Sequence, residues 1–345
     1  MDKHNVIGID LAKRHIQICV IDTRNHKVIK NKAINSNKLL EHMSNINPCK
    51  VFMESCASAH YWVRQLKKLA FDVKLISPQH VVRYRTGQKT DANDALAIAE
   101  AGLRTNMHFV AAKGIEQQNL PCLACVRARL VKQKTQVVNQ THGLLLEYGI
   151  VSGRGLKAIR AALVLALEDG ENELTWEMRE LFTEQRDEIK RLDDRIKELT
   201  KRIEHYSQAV APCQSLKAIR GVGAIAASLL YVMLGDGKSF NNGRQAAACA
   251  GLTPKQYSTG GKVTLYGIGR GGNRRLRAIL IRGALAVIAN LKDKQDRLSC
   301  WIRALIERSC INKAAVALAN KTVRTAWAML RHQRDYDASM VVTLA

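Results

Sequence analysis

The first 104 residues alternate between short apolar runs and amphipathic stretches, and this alternation limits the possible folds more than any other feature. Short apolar runs predict strands, and stretches with a helical apolar period predict helices. The order βββαβαβα predicts a mixed sheet with helices on its faces, and Thr90 is the predicted N-cap of the last helix. In chain order, the predicted elements are 6–9, 15–20, 27–34, 35–46, 50–53, 57–69, 72–76 and 91–103.

Four carboxylates occupy chemically informative positions in this α/β pattern. Asp10 and Glu54 end two apolar strands, and Asp91 and Asp94 lie one helical turn apart in the last helix. Acidic side chains grouped at strand ends would repel one another unless cations lie between them. We therefore predict that Asp10, Glu54, Asp91 and Asp94 hold two Mg²⁺ ions, which clamp a phosphodiester during in-line displacement.

The middle of the chain, residues 111–211, is predicted to be a helical connector. Apolar residues recur at steps of three and four from Ile189 to Val210, which is a heptad pattern. The pattern favours a coiled coil, formed with a second chain or within a hairpin of the same chain. On either side of this connector, residues 1–110 are the predicted catalytic domain, and residues 212–345 are predicted to form a mainly α-helical C-terminal domain.

Charge is concentrated in the C-terminal segment. The chain of 345 residues has a net charge of +24, and residues 212–345 carry 21 basic and 6 acidic residues, a net of +15. Such an excess predicts a polyanionic partner, because counterion release drives basic proteins onto phosphate backbones. The sequence shows no secretory signal and no apolar run long enough to span a bilayer, so we expect a cytoplasmic protein without a membrane partner.

Two features of the C-terminal segment suit nucleic-acid contacts. Predicted helices over 214–220 and 224–234 are joined by Gly221-Val222-Gly223, a helix–hairpin–helix-like pattern, although an ordinary turn has the same sequence. Glycine amides can approach a phosphate closely, and arginines suit phosphate contacts at a helix start. The predicted nucleic-acid contacts are Gly221, Gly223, Lys262, Arg270, Arg274, Arg275 and Arg277.

These motifs together resemble the DEDD-type insertion-sequence transposases, the family of bridge-RNA-guided recombinases. The resemblance covers nearly the whole chain and rests on motifs from both ends. They are Gly8-Ile9-Asp10, Glu54, Lys89-Thr90-Asp91-Ala92-Asn93-Asp94-Ala95, Ile219-Arg220-Gly221-Val222-Gly223, Gln256-Tyr257-Ser258-Thr259-Gly260-Gly261-Lys262 and Gly272-Asn273-Arg274-Arg275-Leu276-Arg277.

The resemblance implies a fold and a mechanism. It implies an RNase H-like (RuvC-like) first domain, with Ser258 joining the four carboxylates as the nucleophile that forms a phosphoserine link to DNA. Thr259 is the alternative nucleophile, since some members of the family read Ser-Gly at this point. The implied partners are donor and target DNA, a structured guide RNA encoded by the element, and further copies of the chain in a homodimer or homotetramer.

Other functions share parts of this pattern. A RuvC-like Holliday-junction resolvase would use the same carboxylates with water as the nucleophile. An actin-like sugar kinase also opens on Gly8-Ile9-Asp10, but it would need a second glycine-rich phosphate loop and a longer chain. A non-catalytic DNA-binding protein would need only the basic C-terminal segment.

Overall fold

A computed structural model describes residues 4–269 and 271–338. Arg270, one of the predicted nucleic-acid contacts, lies outside the described residues. The chain forms two compact units, one made of residues 1–118 and 230–345 and the other of residues 119–229. The division at residues 110 and 211 that the sequence favours stays a prediction.

The first unit contains a mixed six-stranded sheet in the order β3-β2-β1-β4-β5-β6. β1 pairs antiparallel with β2 and parallel with β4, β4 is parallel to β5, and β2–β3 and β5–β6 are antiparallel. The mixed sheet predicted from the sequence is thus confirmed, while β6 was not predicted. The strands are β1 Asn5–Asp10, β2 His15–Asp22, β3 Val28–Asn35, β4 Lys50–Glu54, β5 Asp72–Ile76 and β6 Phe109–Val110.

Helices cover both faces of this sheet because its central strands are apolar on both sides. Ile7 and Ile9 of β1 belong to the core that includes α1 and α2, and Val6 belongs to the core that includes α4. The buried side of α4 consists mainly of alanines, whose small side chains allow the helix backbone to lie close to the strands. The helices are α1 Leu39–Ser44, α2 Ala59–Lys68, α3 Pro78–Val81 and α4 Asp91–Gly102.

The second unit is helical, as predicted, but its heptad seam is covered within the same chain. Leu192, Ile196 and Leu199 of α7 are buried against Leu130 of α5, with other apolar residues of α5 packed around them. The hairpin alternative therefore accounts for the seam, which no longer argues for a dimeric coiled coil. The long helices here are α5 Ile115–Glu147, α6 Leu156–Glu168 and α7 Trp176–Ala209.

One carboxylate joins the three long helices of this unit. Asp193 of α7 lies 2.7 Å from Lys134 Nζ of α5 and 3.2 Å from Arg160 Nη2 of α6. Lys197, one turn further along α7, also lies 3.2 Å from it. These cations hold the pKa of Asp193 well below its usual range, so the carboxylate stays charged and fixes the packing of the helices.

The helix–hairpin–helix prediction is not confirmed. The helix expected over 214–220 is instead α8 Ala211–Leu216, with Pro212 in its first turn, and irregular turns connect it to the helix that begins at Ala224. Proline is favoured at a helix start, where its missing N–H has no partner to lose, so the helix begins earlier than expected. Gly221 takes a left-handed φ of 80° in the connecting turns.

The C-terminal part of the first unit is mainly helical, as predicted, with an added two-stranded sheet. α11 and α10 pack on α13, and β7 pairs antiparallel with β8. None of the helices in the described ranges is both long and apolar enough to cross a membrane. The elements are α9 Ala224–Leu234, α10 Gly243–Cys249, β7 Pro254–Thr259, β8 Lys262–Ile268, α11 Arg274–Ala289, α12 Arg297–Arg308 and α13 Ile311–His332.

Candidate active site

The ends of two parallel strands place Asp10 and Glu54 side by side. Ile9 of β1 is paired with Met53 of β4, so the next residue of each strand, Asp10 and Glu54, emerges at the same edge of the sheet. Both side chains are half-buried. We call this edge, with Asp91 and Asp94 from the first turn of α4, the carboxylate edge.

α4 brings the other two carboxylates to this edge because its backbone lies directly on β1. A Cβ atom at Gly8 would lie 2.3 Å from the carbonyl oxygen of Ala95 and 2.7 Å from the amide nitrogen of Ala99, so only glycine fits there. Asn31 Nδ2 of β3 donates to the Ala92 carbonyl at 3.0 Å. These contacts fix the start of α4 against the sheet.

The predicted cap of α4 is confirmed. Thr90 has extended backbone angles, and its side-chain oxygen accepts a hydrogen bond from the Asn93 amide at 3.2 Å. Capping satisfies one of the free amides of the first turn and fixes where the helix begins. Since Asp91 and Asp94 follow directly, the cap also sets their position.

The carboxylates at this edge influence one another electrostatically. Burial raises the pKa of Asp10, and the negative charges of Asp94 and Asp91 raise it further. Burial also raises the pKa of Glu54, with smaller contributions from Asp10 and Asp94. Both effects disfavour the charged form, which indicates that negative charge at this edge is incompletely compensated by the protein.

Two basic residues supply part of the missing compensation. Arg85 Nη1 lies 3.2 Å from Asp94 Oδ1, and both side chains are largely buried. The charge of Lys89 lowers the pKa of Asp10 and of Glu54, against the larger effects that raise them. Asp91 is exposed at the outside of the cluster, and its negative charge raises the pKa of Asp10.

Sequence reasoning assigned no role to Lys89, Arg85 or Cys56, although all three belong to this site. Lys89 lies in the motif that includes Asp91 and Asp94, so its position next to the acids was the available signal. The Cys56 thiol has a pKa raised by burial and by the charges of Glu54 and Asp10. It is therefore a protonated, unreactive thiol rather than a nucleophile.

The four carboxylates are ligands of the type that Mg²⁺ prefers, but in this structure they are too far apart to surround an ion. Hard cations prefer carboxylate oxygens, and incompletely compensated negative charge favours cation binding. In the described ranges, however, no group of three or more His, Cys, Asp or Glu side chains is close enough to hold a metal ion. Asp94 is instead paired with Arg85.

Ser258 lies on an exposed strand, close to the glycines that connect it to the next strand. It belongs to β7, opposite Val263 of β8, and Thr259 follows at the end of the strand. Gln256 Nε2 donates a 2.8 Å hydrogen bond to Ser258 Oγ. We call β7, β8 and their connecting glycines the serine hairpin. Among the described residues, no hydrogen bond joins Ser258 to the carboxylate edge.

The base of the serine hairpin is held by a close backbone contact and by Arg277. A Cβ atom at Gly272 would lie 2.5 Å from the Gly251 nitrogen, and both glycines have positive φ. Arg277 Nη1 donates to the carbonyls of Gly251, Gly269 and Gly271 at 3.3, 2.9 and 2.8 Å. Arg277 therefore fixes the hairpin base, and its predicted contact with phosphate stays a prediction.

The remaining predicted nucleic-acid contacts lie in several parts of the chain. Lys262 is exposed on β8, and Arg274 is exposed at the start of α11 beside the partly buried Arg275. Gly221 and Gly223 lie in the turns before α9, and a Cβ atom at Gly223 would meet no other atom within 4 Å. Lys262 therefore belongs to the serine hairpin and Arg274 follows it, whereas the two glycines belong to the other unit.

Comparison with known proteins identifies the class. Residues 7–150 match a family model of DEDD type described as "Transposase", and residues 213–299 match the model described as "Transposase IS116/IS110/IS902 family". The first match includes all four carboxylates, and the second includes Ser258 and the hairpin base. The chain is thus a DNA transposase, an enzyme of insertion sequences.

Two similar proteins match over almost their whole lengths. The "Transposase for insertion sequence element IS1111A" of Coxiella burnetii is 38% identical over 331 residues, covering 96% of this chain and 91% of that protein. A "Probable family 20 transposase" of Pseudomonas aeruginosa is 40% identical over 333 residues, covering 96% and 98%. The chain therefore belongs to the IS116/IS110/IS902 family of transposases.

A solved structure also resembles part of the chain. It is described as "T. thermophilus RuvC in complex with Holliday junction substrate", and it covers 28% of this chain and 89% of its own, at 15% identity. The TM-score is 0.23, which is too low to support a conclusion about fold or function.

Proposed function

We propose that this transposase cuts and rejoins DNA at the carboxylate edge in a magnesium-dependent reaction, with Ser258 as the nucleophile. The observation that carries the proposal is the convergence of Asp10, Glu54 and Asp94 at one edge, where burial and mutual repulsion raise the pKa of Asp10 and Glu54. A protein does not retain such a cluster for stability, because like charges in a half-buried site destabilise the fold.

The arrangement of the sheet supports an RNase H-like (RuvC-like) assignment for this part of the chain. Three antiparallel strands, β1 to β3, are followed by β4 and β5 parallel to β1, in the order β3-β2-β1-β4-β5. Two of the proposed catalytic acids, Asp10 and Glu54, lie at the C-terminal ends of the central parallel strands. This is where ligands bind in open α/β sheets.

The chemistry proposed for Ser258 conserves phosphoester bonds. Its Oγ loses a proton, with Asp94 as a candidate acceptor, and forms a bond to a DNA phosphorus atom. The bond from phosphorus to the leaving oxygen of the strand breaks, and that oxygen takes up a proton. A hydroxyl of a second strand then attacks the same phosphorus and releases Ser258. One phosphoester is exchanged for another at each step, so no energy-supplying cofactor is required.

Metal binding would complete the site. When bound, a pair of Mg²⁺ ions held by Asp10, Glu54, Asp91 and Asp94 would neutralise these acids, favour the deprotonated hydroxyl and stabilise the charge that develops on the phosphate. The half-burial of Asp10 and Glu54 would limit the access of water to them. Lys89 would remain as a positive charge near them.

The partners proposed for this reaction are donor and target DNA, a structured guide RNA and at least one further copy of the chain. The net charge of +15 over residues 212–345 supports a polyanionic partner. A second copy could supply the serine for its partner's carboxylates, in a homodimer or homotetramer. The reaction would take place in the cytoplasm, at the nucleoid.

A second candidate is hydrolysis by a resolvase-like reaction, with water in place of Ser258. The observation in its favour is that, in the described parts of the chain, no hydrogen bond connects Ser258 with the carboxylate edge. The two reactions differ in the origin of the oxygen that enters the phosphate.

The test is strand cleavage by the full-length protein on DNA that carries the element's ends, with Mg²⁺, in water enriched in oxygen-18. We expect Asp10→Asn, Glu54→Gln, Asp91→Asn and Asp94→Asn each to reduce cleavage by at least about a hundredfold, because each removes charge stabilisation at the phosphate. The rejoined product should contain no oxygen-18. Wild-type rates in all four variants contradict the carboxylate assignment, and a labelled 5′-phosphate product favours the resolvase-like reaction.

A further inference from the structure

The serine hairpin has two faces of different chemistry. Directly paired residues of antiparallel strands point to the same face, and neighbours along a strand point to opposite faces. Ser258 is paired with Val263 and Gln256 with Leu265, so these four residues share one face. We call the other face the tyrosine face; its paired residues are Tyr257, Thr259, Lys262 and Thr264. Tyr266 follows Thr264 by alternation along β8 and completes this face.

The two tyrosines are exposed to solvent. The exposed fractions are 61% for Tyr257 and 55% for Tyr266. Tyr257 is paired with Thr264, and Tyr266 lies two residues further along β8, where the register of the ladder shifts between Pro254 and Gln256. In a regular ladder, residues in this diagonal relation are separated by roughly 7–8 Å, about twice the distance between stacked bases, so a flat ring would fit between or on the tyrosines.

The charge around the hairpin limits what this surface can bind. Between Asp236 and Asp293 the sequence contains ten basic residues and no acidic one. Lys262 places one of these charges on the tyrosine face itself, next to the hydroxyls of Thr259 and Thr264. Exposed aromatic rings with a lysine and hydroxyl groups, in a stretch without acids, suit a polyanion that also presents flat rings.

We propose that the tyrosine face binds an unpaired strand of DNA by stacking bases on Tyr257 and Tyr266, while Lys262 contacts its phosphates. Paired bases in a duplex expose only their edges, so stacking requires bases that have left the helix. Strand exchange by a transposase separates DNA strands, and the bases next to the exchanged phosphate lose their partners. The tyrosine face stabilises them while Ser258, on the opposite face, remains accessible.

The hairpin base makes this surface a fixed platform. Arg277 and the contact between Gly251 and Gly272 hold both strands at their roots. Asn320 Nδ2 of α13 donates to the Leu252 carbonyl at 3.0 Å and ties the same base to the helical core. A preorganised surface loses little conformational entropy when it binds a ligand.

This inference rests on the proposed function, since it places the exchanged strand on the hairpin that carries Ser258. Its test measures binding without cleavage, so the two can fail separately. A fluorescein-labelled oligothymidine strand is titrated with the full-length protein in EDTA, and binding is followed by anisotropy. Duplex DNA of the same length and an oligouridine strand are the comparison arms.

The variants separate stacking from other effects. We expect the double variant Tyr257→Ala/Tyr266→Ala to bind the single strand at least about tenfold more weakly, and the duplex within about twofold of wild type. Tyr257→Phe/Tyr266→Phe keeps the rings and should bind like wild type. Leu265→Ala, which removes a similarly exposed side chain from the opposite face, should also bind like wild type.

Several results would overturn the proposal. Unchanged single-strand binding by the double alanine variant removes the stacking role, and equal losses on single strand and duplex show a general charge or folding effect. An equal loss in Leu265→Ala assigns binding to the other face. Oligouridine bound more than about tenfold tighter than oligothymidine would make RNA the ligand. None of these results depends on whether Ser258 forms a covalent link, which is measured separately.

Discussion

Arg85 Nη1 and Asp94 Oδ1 lie 3.2 Å apart at the start of α4, so a proposed metal ligand is already paired with a protein cation. The guanidinium offsets part of the repulsion among the carboxylates while no metal is present. It also competes with any ion that would take Asp94 as a ligand. The pair therefore links the stability of the site to its metal affinity.

Arg85→Ala should lower the Mg²⁺ concentration needed for half-maximal cleavage by about two- to tenfold, because partly buried pairs of this kind contribute roughly 1 kcal/mol. Cleavage measured across a magnesium titration checks this. Arg83→Ala, which removes a neighbouring arginine of the same segment, serves as the control. A higher magnesium requirement in Arg85→Ala would show that Arg85 assists the metal site instead of competing with it.

Asp10→Asn should abolish cleavage without destabilising the metal-free protein. The pKa of Asp10 is raised in the folded chain, so the folded chain binds the proton more readily than the unfolded one, and stability falls as pH rises through that pKa. A neutral side chain removes this penalty. In EDTA at neutral pH the melting temperature of Asp10→Asn should equal or exceed that of wild type, whereas a clear decrease would mean that Asp10 is structurally required.

Gly8→Ala should displace α4 and remove activity. The added Cβ would meet backbone atoms of Ala95 and Ala99 at 2.3 and 2.7 Å, and the backbone of a helix cannot move aside locally. We expect a loss of about 1–3 kcal/mol in the free energy of unfolding, measured with urea, together with the loss of cleavage.

A matched glycine tests whether this effect is local. Gly143 lies inside α5, and a Cβ atom there would meet nothing within 4 Å. Gly143→Ala should stabilise the protein by roughly 0.5–1 kcal/mol, since alanine is the better helix former. Wild-type stability in Gly8→Ala would contradict the close contact between β1 and α4.

His60 should make stability depend on pH in the mildly acidic range. Burial, with the charges of Lys113 and Arg64, lowers the pKa of His60 from 6.5 to about 4, and His60 Nδ1 accepts a hydrogen bond from the Lys113 amide at 3.3 Å. The unfolded chain therefore binds the proton first, and the free energy of unfolding falls as pH drops from 6.5 toward 4.

His60→Asn keeps an acceptor without the titration. After allowance for partial exposure, we expect the free energy of unfolding to fall by roughly 1–2 kcal/mol more in wild type than in this variant between neutral pH and about pH 4. Urea unfolding at several pH values measures the difference. Parallel pH curves for the two proteins would contradict a buried neutral His60.

The first domain was largely predictable because its signals are local. Strands β1, β2, β4 and β5 have apolar or alternating runs of ordinary length, and Thr90 has the side chain that a helix start requires. The positions of Asp10 and Glu54 followed from those strands, since parallel neighbours end at the same edge. β6 has two residues and leaves no detectable period.

What the sequence could not predict depends on contacts distant in the chain. The heptad pattern of α7 indicates that its apolar side packs against another apolar surface, but it does not show that Leu130 of the same chain belongs to that surface. The serine hairpin is exposed on both faces, and its polar–apolar alternation is confined to Lys262–Leu265 of β8, a short signal beside the connecting glycines. Arg277 has the residue type of a phosphate contact, and only the structure shows its bonds to three glycine carbonyls.

In the proposed reaction Ser258 becomes covalently linked to DNA. The most direct measurement traps the reaction of the full-length protein with labelled donor DNA and Mg²⁺, digests it, and locates the label by mass spectrometry. We predict a nucleotide on the Ser258 hydroxyl in wild type and in Thr259→Ala, and none in Ser258→Ala. A label that persists in Ser258→Ala and disappears in Thr259→Ala would move the nucleophile to Thr259, and cleaved DNA without any adduct would contradict the phosphoserine mechanism.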